Sequence, residues 1–119
     1  MSINGGFDGM KTLLKIRDKN HPVTAVFCAS DKTAIGALQA CKQQGIRVPE
    51  DISLMGMDDS EMTLYLTPPL STIHVPLEEM GKFAIRVLRD RMHGGHTFPI
   101  RVSFPFEIEQ RASGPIQLQ

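Results

Sequence analysis

Four side chains able to do chemistry stand at the ends of two short apolar runs. Val23-Thr24-Ala25-Val26-Phe27-Cys28-Ala29 stops on Ser30-Asp31, and Ile52-Ser53-Leu54-Met55-Gly56-Met57 stops on Asp58-Asp59. One hydroxyl and three carboxylates could hold Mg²⁺, serve as general acid and base, or accept hydrogen bonds from ligand hydroxyls. Magnesium chemistry on phosphates asks for more than an acidic pair, because the ion prefers octahedral oxygen ligands with substrate phosphate among them. No phosphate loop is present: Gly5-Gly6, Gly36 and Gly94-Gly95 match neither the Walker nor the dinucleotide spacing. Ser30 has no candidate base beside it in the sequence, which disfavours a nucleophile. Asp31 and Asp59 also fit as helix caps. Asp58 comes directly off an apolar run and is the strongest candidate for a ligand contact.

The elements that must position these groups follow from the patterning. Short runs that are apolar on both faces predict central strands of a parallel sheet, covered by helices on each side. Between the two runs Lys32 to Gln44 predicts a helix capped by Ser30 or Asp31, with Ala34, Ala37, Leu38 and Cys41 as its packing face and Gly45 in the left-handed position after it. A strand–helix–strand unit closes right-handed and brings both carboxyl ends to one edge, where open α/β sheets bind ligands. Upstream, Phe7, Met10, Leu13 and Leu14 form the stripe of an amphipathic helix, with Lys15, Arg17 and Lys19 in its last turns and a stop at Asn20-His21-Pro22. Downstream, Ser60 to Leu66 is too short for more than two helical turns. Leu70 to Val75 predicts a third strand, and Pro76 opens a long helix whose apolar set is Met80, Phe83, Ala84, Val87, Leu88 and Met92. His93-Gly94-Gly95-His96 breaks it. Ile100–Phe104 and Phe106–Glu109 alternate with period two and predict an edge strand kinked at Pro105, and from Ala112 little is expected to anchor the chain.

Charge and length narrow the function classes. The 119 residues suit one domain with a modest core. Thirteen basic and 13 acidic residues leave no net charge, whereas a nucleic-acid-binding surface needs a basic excess to neutralise phosphates. DNA contact by these residues themselves is not expected. Cys28 and Cys41 are not paired as Cys-x-x-Cys, and His21, His74, His93 and His96 are not spaced around them as metal ligands. Two reduced core thiols are expected, with no metal and no cofactor. His74, between two apolar residues, reads as structural, and Arg86, Arg89 and Arg91 as a solvated helix face. No basic-then-apolar leader opens the chain and no apolar run approaches the roughly 20 residues of a membrane span, so a cytoplasmic protein without membrane contact is expected.

Read in order, longer strings carry a resemblance. Thr24–Asp31, Ala34-Ile35-Gly36-Ala37-Leu38, Gly45–Asp59, Tyr65–Ile73, Glu79-Met80-Gly81 and Glu109–Ser113 together resemble the lac-repressor family of bacterial transcription regulators, from about Gly5 to Ser113. The family has a helix-turn-helix headpiece and a two-lobed core like that of periplasmic sugar-binding proteins, with the effector, commonly a sugar, between the lobes. The resemblance implies an α/β fold, a mostly parallel sheet with helices on both faces, incomplete in this chain. It divides the chain into most of the C-terminal lobe (1–76), a helix of the N-terminal lobe (77–99), a return strand (100–113) and a tail (114–119). It implies no catalytic residue.

The resemblance also assigns the site residues. Asp58 matches the family's effector-bonding acid, with Ser30 and Asp31 beside it. Ser30 replaces a frequent asparagine, Val75 a frequent glutamine, and Met1 falls near a frequent aromatic ring. Ile35, Leu38, Tyr65 and Leu66 are implied at a homodimer interface. Operator DNA is implied as a partner only through a headpiece outside this chain. With one cleft wall almost wholly absent, the 119 residues alone are expected neither to bind DNA nor to hold effector tightly. The rival readings are a small Mg²⁺-dependent α/β enzyme or phosphoacceptor domain using Asp58 and Asp59, and an extracytoplasmic sugar-binding protein.

Overall fold

The computed structural model describes residues 1–18, 20 and 22–114. Lys19 and His21, invoked at the end of the first helix, lie outside the described residues, as does the tail beyond Gly114. The elements run α1 (Ile3–Ile16), β1 (Ala25–Phe27), α2 (Asp31–Gln43), β2 (Ser53–Met57), a 3-10 turn (Glu61–Tyr65), β3 (Ser71–His74), α3 (Leu77–Met92) and β4 (Glu107–Glu109). The sheet order is β1-β2-β3-β4, with the first three strands parallel and β4 antiparallel to β3. Val26 stands opposite Leu54, Gly56 opposite Thr72, and Ile73 opposite Ile108. This is the expected α/β architecture with a mostly parallel, open sheet.

Helices α1 and α2 pack against each other on one face. Gly6 of α1 and Gly36 of α2 form a reciprocal close crossing. A Cβ on Gly6 would stand 2.0 Å from the Thr33 carbonyl oxygen, and one on Gly36 would stand 1.9 Å from that of Ile3. Helices whose backbones touch cannot lie on opposite sides of a sheet. Both therefore cover the face that carries Leu54 and Gly56, where Met10, Cys28, Ala34, Ala37, Leu38, Cys41 and Leu54 are buried in one cluster. On the other face Phe27 is 54% exposed and Met55 half-buried. Cys28 and Cys41 are free thiols in this core, and burial pushes each up to about 11.

Local signals set the helix ends. The Ser2 hydroxyl accepts from the Gly5 N–H at 3.0 Å to cap α1, and Ser30 does the same for α2 through the Thr33 N–H at 3.3 Å. Gly45 takes φ +69° after α2, as expected. Pro76 is the residue before α3 rather than its first.

Helix α3 buries no residue, and the molecule extends 60 Å along its longest axis against 29 and 26 Å across. The strand expected over Ile100–Phe104 is not formed. Its period-two alternation marks an apolar side, and that side meets α3 instead of a neighbouring strand. Phe104 packs edge-on against Phe83 at 5.8 Å, and Ile100, Val102 and Phe104 with Met80, Val87 and Leu88 line an apolar groove of about 460 Å³.

Residues 111–114 are anchored, against the expectation from Ala112 onward. Ser113 is fully buried and acts as a clamp between β2 and β3. Its hydroxyl accepts from the Ser71 N–H at 2.7 Å and donates to the Leu54 carbonyl at 2.8 Å, while its carbonyl accepts from the Leu54 N–H at 2.8 Å. The gap at the amino end of the β2–β3 ladder is filled by this one residue.

Candidate functional site

At the carboxyl edge of the sheet the structure separates the four candidate groups by what they touch. Ser30, 7% exposed, engages Thr33, its hydroxyl lying 3.0 Å from Thr33 Oγ1. Asp31, 1% exposed, is turned inward, which corrects its expected place against a ligand. Its Oδ1 accepts from the Thr72 hydroxyl at 2.6 Å, and its Oδ2 from the Ser60 N–H at 2.7 Å and the Ser60 hydroxyl at 3.0 Å. Gly56 makes room for it, since a Cβ there would stand 2.3 Å from Oδ1.

Asp59 belongs to a second internal cluster. Arg111 Nη2 donates to its Oδ1 at 2.6 Å and His74 Nδ1 lies 2.9 Å from its Oδ2. The same guanidinium donates through Nη1 to Thr63 Oγ1 at 2.7 Å and to the Leu70 carbonyl at 3.1 Å. Burial works to raise the Asp59 pKa, but the hydrogen bonds from Arg111 and His74 outweigh it and hold the carboxyl below its usual range. His74 is structural as expected, although through this bond and not through burial. Neither Arg111 nor its pairing had been singled out; 52 residues separate the partners.

Asp58 is different. It is exposed, and among the described residues its carboxylate has no hydrogen-bond or ion-pair partner. Its N–H continues the ladder to the Ile73 carbonyl at 3.0 Å, yet its φ is +118°, followed by +53° at Asp59. Such values cost a non-glycine residue about 1–3 kcal/mol each and persist only where the surroundings enforce them. Asp58 and Asp59 therefore do not form the carboxylate pair that the Mg²⁺ reading needs. Among the described residues no three His, Cys, Asp or Glu side chains stand together as a metal site.

The residues implied at a dimer interface divide as well. Leu38 is 3% exposed and belongs to the core, which corrects its placement, and Leu66 is half-buried against that core. Ile35 is half-buried. Tyr65 is 77% exposed, and Met62 and Leu64, which sequence reasoning passed over, are 55% and 51% exposed on the same 3-10 turn. No helix among the described residues is long and apolar enough to cross a membrane.

The family model for the periplasmic binding protein-like domain matches residues 3–114. The chain belongs to that family. Its resemblance to the lac-repressor regulators is equally plain. The "Ribose operon repressor" of Haemophilus influenzae is 51% identical over 88 residues, 74% of this chain and 26% of the relative. The chain thus spans about a quarter of the length of that curated relative. Two solved structures superpose closely. A transcriptional regulator CelR–cellobiose complex gives a TM-score of 0.87 at 35% identity, over 96% of this chain and 34% of that one. A LacI family transcriptional regulator from Enterococcus faecium with bound ribose gives 0.80 at 30% identity, over 96% and 41%.

Proposed function

We propose that these residues are the effector-sensing and dimerising portion of a cytoplasmic bacterial transcription regulator responsive to a sugar, and not an enzyme. The observation that carries this reading is the unpaired carboxylate of Asp58, held in a strained backbone at the carboxyl end of the central strand. A free, exposed carboxylate accepts hydrogen bonds from vicinal hydroxyls, the chemistry a sugar offers. The apolar groove between α3 and the 96–104 segment supports assigning α3 to a second lobe. Contact with operator DNA falls to a headpiece outside these residues. Effector bridging two lobes would favour one lobe angle over another and so bias DNA binding by population shift.

The test is titration with ribose, the sugar named for one relative and bound in one related structure, of a complete two-lobed regulator carrying these residues. Asp58→Asn is expected to weaken binding by about 1.5–3 kcal/mol, the range for hydrogen bonds to a charged group. Unchanged affinity would remove Asp58 from the site. Asp59→Asn, which alters a group already taken up internally, is expected to affect affinity less.

For the dimer, the exposed Met62, Leu64 and Tyr65 are the apolar surface offered to a second copy. Tyr65→Asp together with Leu64→Asp is expected to weaken association by about 2 kcal/mol or more, the scale of an interface hot spot. Sedimentation that returns an undiminished dimer would place the interface elsewhere.

A further inference from the structure

We propose that Asp31 is a positioning residue for Asp58: its buried carboxylate holds the 58–60 turn in the conformation that aims the Asp58 side chain. The inference rests on the reading of Asp58 as the effector contact. Asp58 and Asp59 carry φ values of +118° and +53°, a shape two consecutive aspartates do not adopt unaided. What enforces it is visible in the three N–H groups of the turn. The Asp58 N–H is tied to the Ile73 carbonyl by the sheet ladder. The Asp59 N–H donates at 3.3 Å to the Thr72 hydroxyl, whose own proton is directed at Asp31 Oδ1. The Ser60 N–H donates to Asp31 Oδ2 directly. Two of the three anchors therefore end on one carboxylate, and that carboxylate is itself fixed at the first residue of α2 and seated over the bare Cα of Gly56.

The geometry gives each atom a task. Oδ1 orients a hydroxyl so that its lone pair faces the Asp59 N–H, and Oδ2 takes both donors of Ser60. An alanine at 31 leaves the Ser60 N–H and hydroxyl without that acceptor and frees the Thr72 hydroxyl to rotate. The turn then loses the bonds that offset its strain and relaxes toward negative φ, which swings the Asp58 carboxylate away. An asparagine keeps one oxygen for Ser60 and presents an amide to Thr72 Oγ1, so it preserves part of the anchor.

The decisive measurement needs no ligand: amide hydrogen exchange at Asp59 and Ser60 in the native state. Asp31→Ala is expected to speed exchange at both amides by about tenfold or more over wild type, and Asp31→Asn to restore protection of Ser60. Ile52→Ala, which truncates a fully buried side chain at the amino end of β2, serves as a control for a loss of stability remote from the turn and is expected to leave these two amides as in wild type. Wild-type protection of both amides in Asp31→Ala, or the same loss of protection in the control, would overturn the positioning role. Should Asp31→Ala not fold, Asp31→Asn decides alone, because wild-type exchange of the Asp59 amide in it refutes the orienting of Thr72.

Ribose titration of a double-mutant cycle in the complete two-lobed regulator then separates the two claims. Asp31→Ala is expected to weaken ribose about tenfold when Asp58 is present and to have no further effect in the Asp58→Asn background. A merely structural role would lower affinity equally in both backgrounds. Unchanged affinity in Asp58→Asn itself, or no ribose binding by wild type, counts against the effector reading while the exchange result still decides the positioning.

Discussion

Arg111→Ala is expected to cost the fold about 3 kcal/mol at neutral pH, the scale for removing one partner of a buried ion pair. Arg111 and Asp59 side chains are 15% and 19% exposed, so water can replace the guanidinium only partly. The same substitution strips a donor from Thr63 Oγ1 and from the Leu70 carbonyl, widening the damage to the connection between β2 and β3. The pH dependence has a definite sign. Burial pushes the Asp59 pKa up, but Arg111 and His74 together hold it below its ordinary value, and a carboxyl depressed in the folded state stabilises the fold when ionised. The contribution is complete above the unfolded carboxylate pKa of about 4 and disappears as pH falls through the lower, folded value. Thermal unfolding of wild type and Arg111→Ala should therefore differ most near neutrality and converge in acid. Parallel curves down to low pH would mean that Arg111 acts through its packing and its bonds to Thr63 and Leu70, and not through the Asp59 charge.

Gly36→Val is expected to cost a similar amount, about 3 kcal/mol, at the upper end of what overpacking does in a core. The side chain would have to occupy the space of the Ile3 carbonyl, 1.9 Å from the ideal Cβ, and an α-helical backbone cannot give way as a flexible side chain could. Gly9, on the same helix as Ile3, has nothing within 4 Å of its ideal Cβ. There Gly9→Ala should stabilise by up to about 1 kcal/mol, since alanine is the better helix former. Denaturant melts of the two variants should shift in opposite directions. A stable Gly36→Val would mean that α1 and α2 can separate without loss.

Much of the frame was legible because its signals are local. The apolar run Ile52–Met57, the cap at Ser30, the turn at Gly45 and the stripe of α3 each report on a few neighbouring residues, and each element is found within a residue or two of its expected place. What escaped depends on contacts across the chain. Period-two alternation at Ile100–Phe104 states that one side is apolar but not whether a strand or a helix lies against it. Gly36 looks like any small residue in a helix until the carbonyl of Ile3 is seen beside it. Asp31 and Asp58 are both acids at strand ends, and which of them faces outward turns on the Thr72 and Ser60 hydroxyls, supplied by two other connections. Leu38 satisfied the packing pattern of α2 and the family's interface equally, and burial decided for packing.

The Ser113 clamp has a consequence for the order of events during synthesis. Leu54 obtains two of its sheet bonds from a residue 59 positions later, so β2 leaves the ribosome well before the group that completes its amino end exists. At synthesis rates of roughly 5–20 residues per second the interval is about 3–12 s. During it the first α1–β1–α2–β2 segment can collapse, but the backbone of Leu54 and Ser71 faces water where Ser113 will sit. The stretch that closes the sheet thus emerges after every strand of that sheet, and a nascent chain stalled before residue 113 offers an open strand end to chaperones and to other nascent chains.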